Sequence, residues 1–293
     1  MKILVENGAD PFLLSNLNAN ILHSAAESNS NHGLVGALDI WKNYPEHLNI
    51  NQTNKWGETP LHVASWQSPA CIKLLLQAGA SPDAQQEDGQ VPLHCVGLVK
   101  PSGGASARRE SASLLCNAGS STHINIQDVD GRPPIFEFLD DSEIIEMLIN
   151  HGARLDLSDK LGRNIFHHAC IEGESEALRA ISAVNLDPVI SSTKDQDGNT
   201  PLLEALSHSN VDCAMILLEL DDIGDIVGKD GWTAVHHAAK IGNPILLEAL
   251  LRHSSFIKGM KTNDGKTVDN VAMEAGTWCG RVKDLIRKYN SMS

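Results

Sequence analysis

The chain has 293 residues, 42% hydrophobic, 20% charged and 4% aromatic, with 23 Lys plus Arg against 37 Asp plus Glu for a formal net charge of −14. That composition suits one large or two ordinary soluble domains whose core rests on aliphatic residues, and it favours packed helices over an aromatic-rich β-sandwich. So acidic a surface repels phosphate backbones and anionic bilayers, which excludes nucleic acid and membrane as main partners and fits a partner protein with a basic patch.

In chain order, KILVENGADPF (2–12) reads as the closing half of a helical unit with nothing ahead of it, so Ile3, Leu4 and Val5 lack a partner helix and the chain is expected to begin partway through a longer array. It has no apolar leader segment, and no later window approaches 18 uninterrupted apolar residues. NANILHSAA (18–26) opens the next unit, and GETPLHVA follows from Gly57. In that phrase the glycine supplies an open turn, Thr59 is expected to cap a first helix, and Pro60 sits harmlessly in its first turn. CIKLLLQAGASPDAQ (71–85) then gives a second helix, with Ile72, Leu75 and Leu76 as an i, i+3, i+4 stripe and Gly79 as a left-handed stop.

The first phrase returns as GQVPLHCV from Gly89, GRPPIFEF from Gly131, GRNIFHHA from Gly162, GNTPLLEA from Gly198, GWTAVHHAA from Gly231 and GKTVDNVA from Gly265, at spacings of 32, 42, 31, 36, 33 and 34 residues. The second phrase returns as SASLLCNAGSSTHINIQ, IIEMLINHGARLDLS, CAMILLELDD and ILLEALLRHSS. The long spacing after Gly89 falls on GLVKPSGGASARRESAS (97–113), whose Gly, Ser and Pro content predicts a mobile surface loop. Within it, Arg108-Arg109-Glu110-Ser111 has the spacing basophilic kinases favour, so Ser111 is a candidate phosphorylation site at a helix start; the alternative is an unmodified loop. The closing RVKDLIRKYNSMS (281–293) keeps Val282, Leu285 and Ile286 for a core and places Arg281, Lys283, Arg287 and Lys288 outside, as a terminal cap requires.

These phrases resemble the ankyrin repeat, a unit of about 33 residues with a β-turn, two helices and the signature T-P-L-H-x-A. The resemblance covers nearly the whole chain and implies an all-α ankyrin-repeat solenoid of about seven repeats plus a leading half repeat. As one domain over 1–293, it divides into a half repeat at 1–15, repeats near 16–53, 54–85, 86–127, 128–158, 159–194, 195–227 and 228–261, and a capping repeat at 262–293. His23, His62, His94, His167 and His236 occupy the signature histidine slot, where the resemblance implies scaffolding that ties one repeat to the next. Phe136, Leu203 and Asn270 take the same slot elsewhere, which a catalytic role would not tolerate.

Other patterns fall short of chemistry. GMKTNDGKT (259–267) separates its glycines by five residues where a phosphate loop has four. DVDG (128–131) and DQDG (195–198) lack the further upstream Asp of a calcium loop and lie on the turn, where Asp favours the bend. Adjacent histidines at 167–168 and 236–237 point about 100° apart on a helix and do not close a zinc site with Cys170. No catalytic residue, metal or cofactor is expected. The six scattered cysteines read as reduced thiols of an intracellular protein, cytoplasmic rather than nuclear.

Function is expected in the variable slots, on turn tips and the open face of the first helices. These are Lys55, Trp56, Glu58, Trp66 and Gln67, then Glu87, Asp88 and Gln90, then Val129, Asp130, Arg132, Asp140 and Asp141. Lys160, Leu161, Arg163, Ile171 and Glu172 follow, then Gln196, Asp197, Asn199 and His208, then Lys229, Asp230, Trp232, Lys240 and Ile241. Trp56, Trp66 and Trp232 are candidate hot spots, with Trp56 and Trp66 close together; alternatively each ring lies flat on an adjacent turn. The reading is a non-enzymatic protein-binding module gripping a partner in a concave groove. Alternatives are an accessory part of a larger ankyrin-containing enzyme, or a regulatory inhibitor that covers an enzyme's surface. Whether the chain self-associates stays open.

Overall fold

A computed structural model describes residues 8, 10–28, 30–98, 104–118, 121–184, 190–220, 227–253 and 260–291. The helix expected at Ile3, Leu4 and Val5 lies outside these residues. The described chain divides into two units, residues 1–138 with 143–154 and residues 139–142 with 155–293. All of its regular structure is helical among the described residues, as the repeat pattern predicts.

The first unit holds α1 (Ile21–Glu27), α2 (Asn31–Asn43), α3 (Pro60–Ser65), α4 (Pro69–Gln77), α5 (Pro92–Leu98), α6 (Gly104–Cys116), a 3-10 turn (Pro134–Phe138) and, from Glu143 onward, α7 (Ser142–Asn150). First helices pack on first helices, α1 on α3, α3 on α5 and α5 on the 3-10 turn; second helices pack likewise, α2 on α4 and α4 on α6. Leu22, Leu61, Leu93 and Ile135 seal the first row, while Ala25 and Ala64 keep its helices close. Thr59 caps α3 with Pro60 in the first turn, as its residue types dictate. Of the α4 stripe, Ile72 and Leu75 are buried and Leu76 is half-buried. Gly79 ends α4 at φ +89°, donating to the Leu76 carbonyl at 3.0 Å while Ala80 N–H reaches Leu75 O at 3.0 Å.

The second unit repeats the scheme with α8 (Ile165–Glu172), α9 (Ser175–Ser182), α10 (Pro201–Ser207), α11 (Val211–Leu220), α12 (Ala234–Ile241), α13 (Pro244–His253), α14 (Val268–Glu274) and α15 (Gly280–Ser291). Here α8, α10, α12 and α14 form one row and α9, α11, α13 and α15 the other. Phe166, Leu202 and Val235 are buried in the slot of Leu61, and Ala169, Ala205, Ala238 and Ala272 in that of Ala64. In α15, Val282 and Ile286 are buried and Leu285 is half-buried.

The expected loop at 97–113 is corrected. From Gly104 onward it is helix α6, which buries Arg108 and Ser111 to 5% and 2% exposure. The guanidinium of Arg108 donates through Nη2 to Gly97 O and Glu137 O, both at 2.8 Å, and through Nε to Val96 O at 3.4 Å; it lies 5.0 Å over the Phe138 ring. It thereby satisfies carbonyls at the end of α5 and in the neighbouring 3-10 turn that those short elements leave open. The helix start expected at Ser111 is corrected with it: the residue sits mid-helix and is buried.

Candidate functional site

The turn tips are built from a short polar residue three positions before the glycine. Asn54 Oδ1 accepts the N–H groups of Trp56 (2.9 Å) and Glu58 (3.0 Å), and Asp128, Asp159 and Asp195 do the same two and four residues on. The acids of DVDG and DQDG are thus turn formers. Gly57 stands at φ +77°, and a Cβ there would lie 2.8 Å from the Glu87 nitrogen of the next tip. Adjacent tips are joined through the main chain. In the first unit Lys55 N–H donates to Leu17 O (2.9 Å), Glu87 N–H to Trp56 O (3.1 Å) and Val129 N–H to Asp88 O (2.8 Å). In the second, Gln196 N–H donates to Leu161 O (2.9 Å) and Asn263 N–H to Asp230 O (2.8 Å).

The signature histidines are scaffolding in geometry as well as in slot. His62 Nδ1 accepts from Thr59 N–H at 3.1 Å, which assigns the proton to Nε2, and that nitrogen donates to Gln90 O of the next repeat at 3.1 Å. His23 reaches Glu58 O at 2.9 Å, His94 Arg132 O at 3.0 Å and His167 Asn199 O at 3.2 Å. His236 Nε2 faces the corresponding Lys266 carbonyl without closing a bond. Burial pushes the His62 pKa down to about 4, against the smaller opposing pull of the Gln90 carbonyl, so a neutral imidazole is held. Burial likewise lowers His23, His94, His167 and His236.

The expected partner-binding residues divide by what holds them. Trp56 is 44% exposed with the Lys55 ammonium 4.7 Å from its ring centre; Trp66 closes α3 half-buried, beside half-buried Gln67. No ring contact joins Trp56 to Trp66 among the described residues. Glu58 accepts from Asn54 Nδ2 at 2.8 Å, and Gln90 Oε1 from Gln86 Nε2 at 2.8 Å. Asp88, Asp130 and Asp230 are exposed at tips, Asp230 at φ +56°. Asp197 is exposed and pairs with Lys229 at 3.2 Å. Trp232 rests on the first helix of its own repeat, 4.7 Å from the His237 ring centre with the Lys240 ammonium 5.6 Å away.

A regularity emerges at the residue after four of the seven turn glycines, which meets the residue five positions on, directly or through a shared carboxylate. Arg132 Nη2 lies 3.0 Å from Glu137 Oε1, Asn199 Nδ2 donates to Glu204 Oε1 at 2.8 Å, and the Trp232 ring meets that of His237 at a 44° tilt. Arg163 and His168 meet through Asp159: Arg163 Nε at 2.9 Å and His168 Nε2 at 3.0 Å both donate to Asp159 Oδ2. Burial alone would raise the Asp159 pKa, but hydrogen bonds from the Arg163 main chain and guanidinium and from His168 outweigh it and hold the carboxyl below its usual value. Glu137 and Glu204 were missed in the sequence, and His168 and His237 were considered only as zinc ligands. Their slot is the x of T-P-L-H-x-A, and the available signal was an ionisable residue where other copies carry Val63, Cys95 and Val271.

In the second unit these residues frame two open cavities. One of about 280 Å³ is lined by Leu161, Arg163, Ile171, Asp195, Gln196, Asp197, Glu204 and His208. The other, about 310 Å³, is lined by Trp232, Lys240, Lys266, Val271, Glu274 and Ala275. Both are at or below the lower end of the range for small-molecule sites, about 300–1,000 Å³, and suit side chains better than a cofactor. No cluster of three or more metal-ligating side chains exists among the described residues, and no described helix is long and apolar enough to cross a membrane. Cys71, Cys95, Cys116, Cys170 and Cys213 are buried free thiols, and Cys279 is exposed.

Comparison with known proteins supports the same architecture. The family model described as ankyrin repeats (3 copies) matches residues 1–88, 136–230 and 187–263. Human Rabankyrin-5 is 27% identical over 150 residues, half of this chain and 12% of that protein. The human transient receptor potential cation channel subfamily A member 1 is 23% identical over the whole chain and 29% of its own length. The Legionella pneumophila phosphocholine transferase AnkX is 25% identical over half of the chain and 15% of that protein. The chain thus spans less than a third of each of these relatives. With family-model matches covering most of its length and a turn, cap and histidine bridge recurring through both units, the chain belongs to the ankyrin-repeat family.

Proposed function

We propose that the chain is a non-enzymatic protein-binding module which holds a partner on its turn tips and the open face of its first helices. The carrying observation is the division of labour at the tips. The periodic residues are sealed and bonded to the main chain, while Trp56, Asp88, Asp130, Leu161, Asp197 and Asp230 between them remain exposed. A net charge of −14 favours a partner with a basic patch over nucleic acid or an anionic bilayer. Five buried thiols suit a reducing, intracellular setting, and we read it as cytoplasmic.

A second reading is favoured by the coverage of the relatives: as a docking segment of a larger protein, the chain would present partners to chemistry located elsewhere. AnkX is named a phosphocholine transferase, and the match takes in 15% of it. Both readings place recognition on the same surface.

The test is affinity capture with the tagged chain and with Trp56→Ala/Trp66→Ala, after circular dichroism shows equal helix content. Removing two exposed or half-exposed aromatic anchors is expected to weaken capture by about thirtyfold or more, since even one such anchor carries about 2 kcal/mol or more. Equal recovery of every partner by both proteins overturns the tip-and-groove reading.

A further inference from the structure

Resting on that reading, we propose that the cavity bounded by Leu161, Ile171, Asp195, Asp197, Glu204 and His208 receives one basic side chain, lysine or arginine, of a partner protein, with an apolar neighbour of that residue set against Leu161. Its volume of about 280 Å³ admits a single long side chain. Three carboxylates line it, and the one guanidinium present, Arg163, is already matched: its Nε and Nη2 both lie 2.9 Å from Asp159 Oδ2. An incoming cation therefore meets a lining that is negative on balance, with only Asp197 paired, to Lys229 at the rim.

Glu204 gives the cavity its centre. The residue is 8% exposed, and its two oxygens are treated differently. Oε1 accepts from Asn199 Nδ2 at 2.8 Å, whereas Oε2 accepts no hydrogen bond among the described residues. The nearest basic nitrogen, His208 Nδ1, is 3.5 Å from Oε2 and lies 3.0 Å from both the Glu204 carbonyl and Ser207 Oγ. The Glu204 side chain keeps 10% of its surface open, and a cationic N–H from a partner would give Oε2 the charge-assisted hydrogen bond it lacks. Asp195 has one oxygen committed to the Asp197 and Asn199 N–H groups, which leaves its other oxygen outside the turn. Leu161, 50% exposed, and half-buried Ile171 offer apolar cover for a methylene stem beneath a charged head. At the rim, Asp197 and Lys229 form an exposed pair at 3.2 Å, a weak contact that an arriving cation can displace.

The experiment uses the full chain labelled with ¹⁵N and titrated to about 10 mM with N-acetyl-leucyl-arginine amide or N-acetyl-leucyl-lysine amide. The controls are the citrulline analogue, which keeps the shape of arginine without its charge, and the glutamate analogue. Saturable shifts at the amides of Leu161, Gln196 to Asn199 and Glu204 are expected with arginine or lysine and not with the controls; which basic residue binds tighter identifies the preferred head group. Glu204→Gln should weaken that binding at least tenfold, and Asp197→Asn, at an exposed rim position that does not threaten the fold, about two- to fivefold. Absence of saturable shifts, equal shifts with citrulline, or unchanged binding by Glu204→Gln overturns the proposal. Partner capture separates the two readings. If Trp56→Ala/Trp66→Ala loses the partner while Glu204→Gln retains it fully, the tip surface stands and this cavity fails. If both variants capture normally, both readings fail.

Discussion

His62 joins two repeats through one neutral ring, accepting at Nδ1 and donating at Nε2; the Nδ1 bond is lost if the ring is protonated, whereas Nε2–H donates in either form. Its pKa is about 4 in the folded chain and about 6.5 when unfolded, so between those values the unfolded chain binds the extra proton. Stability from this residue is therefore complete above about pH 6.5 and declines as pH falls toward 4, by up to about 3 kcal/mol. Urea midpoints at pH 7 and pH 5 should show the loss, steepened by His23, His94, His167 and His236, whose pKa values are lowered in the same direction. His62→Ala should cost about 1–3 kcal/mol at pH 7 and show a smaller change between the two pH values. The role of this histidine was legible because its slot recurs and tolerates Phe136, Leu203 and Asn270. Glu204 was not, since its slot reads as core in a single copy and only alignment of the copies reveals a carboxylate among Val63, Cys95 and Val271.

Helix α6 shows where local cues mislead. Gly103, Gly104 and four serines among residues 97–113 read as a loop, yet burial of Arg108 against three carbonyls and an aromatic face holds a thirteen-residue helix from Gly104 to Cys116. A charged residue at a tertiary joint is hard to foresee, because burial of arginine is settled by acceptors from elements distant in sequence. Arg108→Met should destabilise the fold by about 2–4 kcal/mol by leaving those carbonyls without a donor, although methionine keeps much of the apolar stem. Gly57→Ala should cost about 1–2 kcal/mol or more, from its left-handed backbone and the approach of the Glu87 nitrogen. Guanidinium-chloride midpoints of both variants check these values, and a midpoint within error of the parent for either would contradict its assigned role. The helix start at Thr59, by contrast, was legible from a capping residue followed by proline.

At the scale of the molecule, the excess of 37 acidic over 23 basic residues governs encounter more than grip. Raising ionic strength from about 0.05 to 0.5 M shrinks the screening length severalfold, so association with a basic partner should slow by about tenfold or more while dissociation changes less. Surface plasmon resonance separates the two rates, and a salt-independent association rate would remove charge steering from the account. Architecture was legible because one pattern recurs along the chain, which no single motif could match. The lining of the 280 Å³ cavity was legible in part. Leu161, Arg163, Ile171, Gln196, Asp197 and His208 occupy slots that vary between copies, whereas Asp195 reads only as a turn former and Glu204 only as core.

The main-chain links from tip to tip carry a practical consequence. Register between neighbouring hairpins is set by amide and carbonyl groups that any side chain other than proline leaves in place. The exposed residues just before each glycine, as at Trp56, Asp88, Asp130 and Asp197, can therefore be varied with glycine, cap and histidine retained, to yield surfaces of one architecture that differ in what they recognise.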